Sequence, residues 1–399
     1  MQRVERHIRL NDSEIDRLCF LSKNLYNFAN YHIRQEFINN RKWLRYQDIH
    51  KLLKEMTDYK SLPAQTSQQV LRLLDKNWIS FFKSIKQWKK HPEKYKVMPR
   101  LPRYKHKTKG RNIVIFTNQQ VVLKEGFVCF PKKVNLKPLK TKVDNVQQVR
   151  IIPQATCYTI EVIYNKEVRY ANLKPNTYLS IDCGVNNLAT CVNNIGLKPF
   201  AINGRIVKSI NQFYNKKKAR LQSFIGNKGT SRRINRLTFR RNNKVRDYLH
   251  KTSRFIIDYC VKHQISMIVI GKNKNWKQEI SIGKRNNQNF VSIPFDVLIQ
   301  QLKYKAEEVG IEVIENEESY TSKCSFLDNE EIGKKEIYAG RRIKRGLFKS
   351  SNGTLINADV NGGYNILKKA FPKAFADGIG RCGLHPIIVN INGYNYEQN

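Results

Sequence analysis

Acidic residues are scarce in this chain. Only 32 Asp and Glu stand against 73 Lys and Arg in 399 residues, a formal charge of +41. Solubility needs far less, so the first inference is a polyanionic partner, and nucleic acid fits best. Long apolar runs are also missing: nothing approaches the roughly 20 residues of a membrane-spanning helix. The basic residues spread from Arg3 to Lys373 instead of gathering on one amphipathic segment, which argues against a membrane surface. The eight cysteines, at 19, 129, 157, 183, 191, 260, 324 and 382, include no CxxC pair. With a polar start, "MQRVERHIRLNDSEID", they point to a soluble cytosolic protein with reduced thiols.

The length allows two or three domains. From about Asn11 to Pro99 apolar residues recur at three- and four-residue steps, as in Leu18, Leu21, Leu25, Tyr26 and Ala29, which predicts a helical bundle capped at Asn11 or Ser13. Its aromatics Tyr26, Tyr31, Trp43 and Trp78 read as core in preference to base-stacking platforms. The stretch "VMPRLPRYKHKTKGRN" breaks that period, and short β-rich segments follow to about Lys174, with the N-terminal decapeptide a further candidate strand. After "NLKPNT" the texture is α/β: two strands in "YLSIDCGVNNLATCVNN", a long helical region from Arg205 to Lys262 broken near "IGNKGTS", the strand "SMIVIG", a helix, the strand "IEVIENEESY", and a helix starting near Val360. The tail after Phe375 carries no clear pattern.

Residues 231–254 hold seven Arg and two Lys against one acid. Arg233, Arg236, Arg240, Lys244 and Lys251 form a stripe apart from the apolar positions, so one stripe packs and the other faces phosphate.

A two-metal nuclease needs three or four carboxylates around ions about 3.5 to 4 Å apart, and magnesium suits such hard oxygen ligands. Asp182 lies in an apolar strand beside glycine, where burying an acid is costly unless it meets a cation or donor. Asp359, at a loop-to-helix junction, reads equally well as a helix N-cap.

"IDCGVNNLAT" and "NADVNGGYNI" resemble the first and third motifs of the RuvC-type nuclease in TnpB, the transposon-encoded family of RNA-guided DNA endonucleases related to the compact type V CRISPR effectors. "LSKNLYNFANYHIRQEF", "PRYKHK", "DYLHKTSRFIIDYC" and "ESYTSKCSF" also look like TnpB, in the same order. The resemblance implies a multidomain α+β fold: a β-barrel wedge domain at 1–10 and 100–175, an inserted helical recognition lobe at 11–99, an RNase H-like RuvC nuclease at 176–318 and 355–375, a target-strand-loading insertion at 319–354, and a tail at 376–399. It implies a guide RNA as partner, double-stranded target DNA with a short flanking motif, and cleavage of both strands by one Mg-dependent site.

Two features depart from the family. The strand matching "SMIVI" is usually followed by the second catalytic Glu, and Gly271 stands there. Either the nuclease is dead and the protein is an RNA-guided DNA-binding regulator, or the carboxylate has moved to "ENEESY". Of Glu315, Glu317 and Glu318, Glu318 is favoured because it directly precedes the family-like "SYTSK" turn, with Glu317 second. The expected site is thus Asp182, Glu318 and Asp359 around two Mg ions, Asp182 bridging, with Lys323 and Arg342 positioning the scissile phosphate. The second departure is the absence of two CxxC pairs: Cys324 alone cannot make a four-ligand site, so no structural zinc is expected. A metal-free hairpin, "YAGRRIKRGLFKSSNGTLI", turning at Asn352-Gly353, is expected in its place. "GKNKNWK", relieved of the carboxylate, is read as a phosphate contact. A third reading, a plain RNA-binding protein with a vestigial RNase H-like fold, leaves the two carboxylate motifs unexplained.

Overall fold

Strand β1 (Gln2–Arg9) leads into four helices, α1 (Ser13–Asn40), α2 (Tyr46–Leu53), α3 (Thr57–Lys60) and α4 (Ala64–Lys90), in the computed structural model. Residues 1–226, 229–273, 283–376, 378 and 382–391 are described. The chain divides into two units, Met1–Lys166 and Glu167–Asn399.

In the first unit Asp12, between the two residues expected as caps, starts α1: its extended backbone turns the carboxylate onto the Ile15 amide at 3.0 Å. Leu18, Leu25, Ala29 and Ile33 then bury one stripe of α1 beside Val70, Leu71, Leu74 and Trp78 of α4. Tyr26 and Trp78 belong to this core, Trp43 packs at its edge, and Tyr31 is half exposed. The polar stripe of α1 is equally occupied. Ser22, Lys23, Asn27, Asn30 and Arg34 donate to the carbonyls of Ile113, Lys107, Lys105 and Pro102 at 2.6–3.0 Å, fastening the "PRYKHK" segment along the helix. The strands β2 (Val114–Thr117), β3 (Val122–Lys124), β4 (Phe127–Cys129), β5 (Leu139–Lys140), β6 (Gln148–Pro153) and β7 (Tyr158–Asn165) make two antiparallel sheets, ordered β1-β7-β6-β2 and β3-β4-β5. The N-terminal strand pairs with β7 along its whole length, from Gln2 opposite Asn165 to Arg9 opposite Tyr158.

The second unit is built on β8 (Lys174–Asp182), β9 (Asn187–Asn193) and β10 (Phe200–Asn203), helices α5 (Arg205–Ser223) and α6 (Arg232–Lys262), β11 (Ile265–Gly271), α7 (Lys284–Val291), α8 (Phe295–Val309) and β12 (Glu312–Asn316). A small antiparallel sheet of β13 (Arg341–Lys344), β14 (Leu347–Lys349) and β15 (Leu355–Asn357) precedes α9 (Ala358–Ala370), and β16 (Ile387–Val389) closes the fold. The expected single hairpin is therefore two, with turns at Arg345-Gly346 and at Asn352-Gly353. The main sheet has the order β12-β11-β8-β9-β10-β16. β8, β11 and β12 run parallel, and β9 is antiparallel to both β8 and β10. Its edge strand β16, parallel to β10, comes from the tail in which the sequence showed no pattern.

Strand alternation assigns the two faces. Leu179, Ile181, Ile268 and Ile270 pack with Leu249, Ile256 and Ile257 of α6 and Leu298 and Leu302 of α8. Tyr178, Val192 and Val269 face α9, where Val360, Tyr364, Ile366 and Leu367 are buried. Asp182 and Gly271 fall in register with this second set, so the carboxylate of β8 and the glycine of β11 share the α9 face. Among the described residues no helix is long and apolar enough to cross a membrane, and all eight cysteines are free thiols.

Candidate active site and nucleic-acid interface

Three segments meet at the C-terminal ends of β8 and β11: Asp182, the turn after β12, and the first turn of α9. Close approach of α9 depends on Gly362, where a Cβ would stand 3.1 Å from Asp182 Oδ2. The helix starts at Asn357, whose side chain accepts from the Asp359 and Val360 amides at 3.0 and 3.1 Å. Asp359 is thus not the cap. Its carboxylate accepts from Asn187 Nδ2 at 2.8 Å and faces the guanidinium of Arg342 at 3.8 Å.

Gly271 decides where the third carboxylate goes. A Cβ there would lie 2.6 Å from Glu318 Oε2 and 2.5 Å from Ile366 Cδ1. The Glu318 carboxylate therefore occupies the space a side chain at 271 would need. Its neighbours are differently engaged. Glu315 is ion-paired to Lys303 at 2.6 Å and Lys272 at 3.0 Å, which hold its carboxyl low. Glu317 is exposed and takes a hydrogen bond from Lys369, chiefly responsible for lowering its pKa to about 2. Among the described residues no cation pairs with Glu318. Burial, helped by the charge of Glu317, pushes it up to about 7.

Asp182 is raised well above the usual carboxylate range, first by burial and then by the charges of Asp359 and Glu318, with Arg342 opposing. Among the described residues no hydrogen-bond donor reaches the carboxylate of Asp182 or of Glu318. Two buried, mutually repelling acids are the environment a hard divalent cation relieves. The donor set fits magnesium in kind, but no three His, Cys, Asp or Glu among the described residues form a ready-made metal-binding group. Asp359 is turned instead toward Asn187 and Arg342.

Asparagines that the sequence reading passed over build the support. Buried Asn361 bonds the Phe326 amide and the Cys324 carbonyl, each at 2.9 Å, and Asn365 donates to the carbonyls of Thr321 and Cys324 at 2.9 and 2.7 Å. Thr321 in turn bonds the Glu318 carbonyl through its amide and hydroxyl. Asn273 accepts from the Glu318 amide at 3.1 Å. The signal was the density of Asn in "GVNN" and "NADVNGGYN". In "GKNKNWK", read as a phosphate contact, Lys272 is instead paired with Asp296 at 2.9 Å and with Glu315, while residues 274–277 lie outside the described residues. Lys323 is exposed and sits 6.0 Å over the Tyr338 ring.

Of the basic stripe, Arg233, Arg236, Arg240 and Lys244 line one cavity of about 910 Å³ between α5 and α6. Lys251 is not among them and pairs with Asp247 at 3.1 Å.

Comparison with known proteins covers both halves of this site. The OrfB_IS605 family, described as a probable transposase, matches residues 156–277, which include Asp182 and Gly271. The Cas12f1-like TNB domain matches residues 295–366, which include Glu318 and Asp359. The TnpB-like protein ORF457 of Acidianus two-tailed virus is 27% identical over 402 residues, spanning 90% of this chain and 84% of its own. The CRISPR-associated endodeoxyribonuclease Cas12f1 of Sulfoacidibacillus thermotolerans is 35% identical over 132 residues, 33% of this chain and 28% of that protein. In fold, the chain resembles Cas12f1 as seen in a cryo-EM structure of its complex with sgRNA and target DNA, with a TM-score of 0.59 at 15% identity, covering 89% of this chain and 82% of that one. The protein thus has a mixed α/β, multidomain fold like that of Cas12f1, and its sequence is similar to OrfB_IS605, to TnpB-like proteins and to Cas12f1.

Proposed function

We propose that this protein is an RNA-guided DNA endonuclease in which one RuvC-type site cuts both strands of a guide-matched duplex. The observation that carries this is the Glu318 carboxylate standing in the space left by Gly271, within electrostatic reach of Asp182. A decaying nuclease has no reason to keep buried acids that repel one another. In this reading the six-stranded sheet with α9 is an RNase H-like domain, the two sheets of the first unit are the wedge, and its helices are the recognition lobe. Guide RNA pairs with the target strand while the protein holds the heteroduplex by its backbone and reads a short flanking motif.

Asp182, Glu318 and Asp359 would hold two magnesium ions. Bound there, the ions would supply Lewis acidity for phosphodiester hydrolysis. Asn187 and Arg342 orient Asp359. Asn361 and Asn365 hold the turn that carries Glu318. Arg342, half exposed beside Asp359, is suited to meet the scissile phosphate, and Lys323 is a second cation on the same turn as Glu318.

The test is a purified complex carrying a reprogrammed guide. Asp182→Ala and Glu318→Ala should each abolish magnesium-dependent cutting while target binding persists, and Glu317→Gln should cut normally. Binding without any cleavage by the unmodified protein would establish a guided binder instead. Normal cutting by Glu318→Ala would refute the relocated carboxylate.

A further inference from the structure

The cavity between α5 and α6 has a second lining that the basic stripe alone does not explain. Facing five cations of α6, the four of the stripe and Arg241, helix α5 contributes Lys217, Arg220, Phe213 and Tyr214, and Phe224 follows as its C-terminal cap. No acid lines it. Phe213 is 61% exposed and Phe224 75%, a costly way to display two aromatic faces unless something covers them. The walls are fixed in place: Tyr214 and Thr238 share a hydrogen bond of 3.1 Å, and Arg241 bonds Asn211 Oδ1 and the Ser292 carbonyl, both at 2.7 Å.

The direction of the strands locates this groove. β8, β10 and β11 run the same way, so Asp182, Asn203 and Gly271 end together. Tyr248 of α6 donates its hydroxyl to the Asn203 carbonyl at that end. From there α6 returns along the sheet to enter β11, while its first 16 residues, about 24 Å of helix, project beyond the strand ends with α5 alongside. The groove therefore lies on the carboxylate end of the sheet.

We propose that this groove binds single-stranded DNA, the cations tracking its phosphates and Phe213 and Phe224 stacking on its bases, so that it feeds the strand to be cut toward Asp182. A duplex hides the faces of its bases and would leave both phenylalanines bare; a single strand offers a π-face at every nucleotide. The identity of the strand as substrate rests on the proposed nuclease, but binding can be read without it. The experiment uses the full chain with its copurifying RNA, in EDTA, and follows the anisotropy of three fluorescein-labelled probes: a single-stranded oligodeoxynucleotide, its blunt duplex, and an RNA of the same sequence. Phe213→Ala/Phe224→Ala should weaken the single-stranded DNA by about tenfold or more and leave the duplex unchanged. Phe213→Trp/Phe224→Trp should retain the affinity. Unaltered single-strand binding, an equal loss on the duplex, or a larger loss on RNA than on DNA would each overturn the proposal. If Asp182→Ala cuts normally, the nuclease reading fails, yet a selective loss in this assay would still establish the groove.

Discussion

Replacing Gly271 by alanine adds one methyl group where the structure leaves no room. The new Cβ would meet Glu318 Oε2 at 2.6 Å, and ordinary contact begins at 3.4 Å, so the carboxylate must retreat by about 0.8 Å. Ile366 Cδ1, at 2.5 Å, must also move. Overpacking of this kind costs about 1–3 kcal/mol, and a displacement near 1 Å in a catalytic constellation costs about 10²-fold in rate. Gly271→Ala should therefore remain folded but cleave a guide-matched duplex about a hundredfold more slowly at saturating magnesium. Thermal unfolding in EDTA provides the companion measurement. In a Glu318→Ala background the obstructing oxygen is gone, so the destabilisation by Gly271→Ala should shrink, leaving only the Ile366 contact; contacting residues couple in this way. Wild-type cutting by Gly271→Ala, or the same destabilisation in both backgrounds, would show that the glycine does not make room for Glu318.

Two further outcomes follow from the same site. Burial pushes the Glu318 carboxyl from its ordinary 4.5 up to about 7 in the fold, so its contribution to stability is fully present below about 4.5 and lost as pH rises through about 7. Asp182, also raised, acts in the same sense. The melting temperature in EDTA should accordingly fall between pH 5 and pH 8, less steeply in Glu318→Gln, and the magnesium concentration for half-maximal cutting should drop as pH rises; an unchanged slope in the variant would exclude Glu318 as a titrating group. Asn357→Ala removes the cap of α9 and should cost about 1 kcal/mol with slower cutting as the first turn frays around Asp359, while Asn357→Asp should recover both; denaturant unfolding and cleavage rates measure this.

Asp182 was legible because an acid inside an apolar strand has few structural uses, and period-two alternation then fixes its face. The helices of both units were legible for the same reason, their apolar spacing being regular over long stretches. Glu318 was separated from Glu315 and Glu317 by its place before a turn. What distinguishes the three physically is non-local: Lys272, Lys303 and Lys369 neutralise the other two, and these lysines come from β11's end, α8 and α9. Asn357 shows a local limit, since an Asn and an Asp two residues apart are both good caps and only the backbone chooses. Strand β16 was invisible because three residues carry no periodicity, and its pairing with β10 is made across nearly 190 positions of chain.

The segment between Glu318 and α9 is tied to that helix at both ends. On one side Asn361 and Asn365 grip residues 321–326; on the other β15 runs directly into the cap, and the Ala358 amide bonds the Gly346 carbonyl at 3.1 Å. Between these anchors the segment is self-bracing: Glu330 accepts from the amides of Ser325 and Ala339, and Asp328 from Ser351. It lends the carboxylates only Arg342. This is the mechanical arrangement of a cartridge in a socket. Its contents can lengthen, shorten or exchange one staple for another without shifting the acids, because loop closure grows costly only slowly with length. A lineage could thus shed paired cysteines here, or an engineer could install a reporter, while the three carboxylates stay aligned.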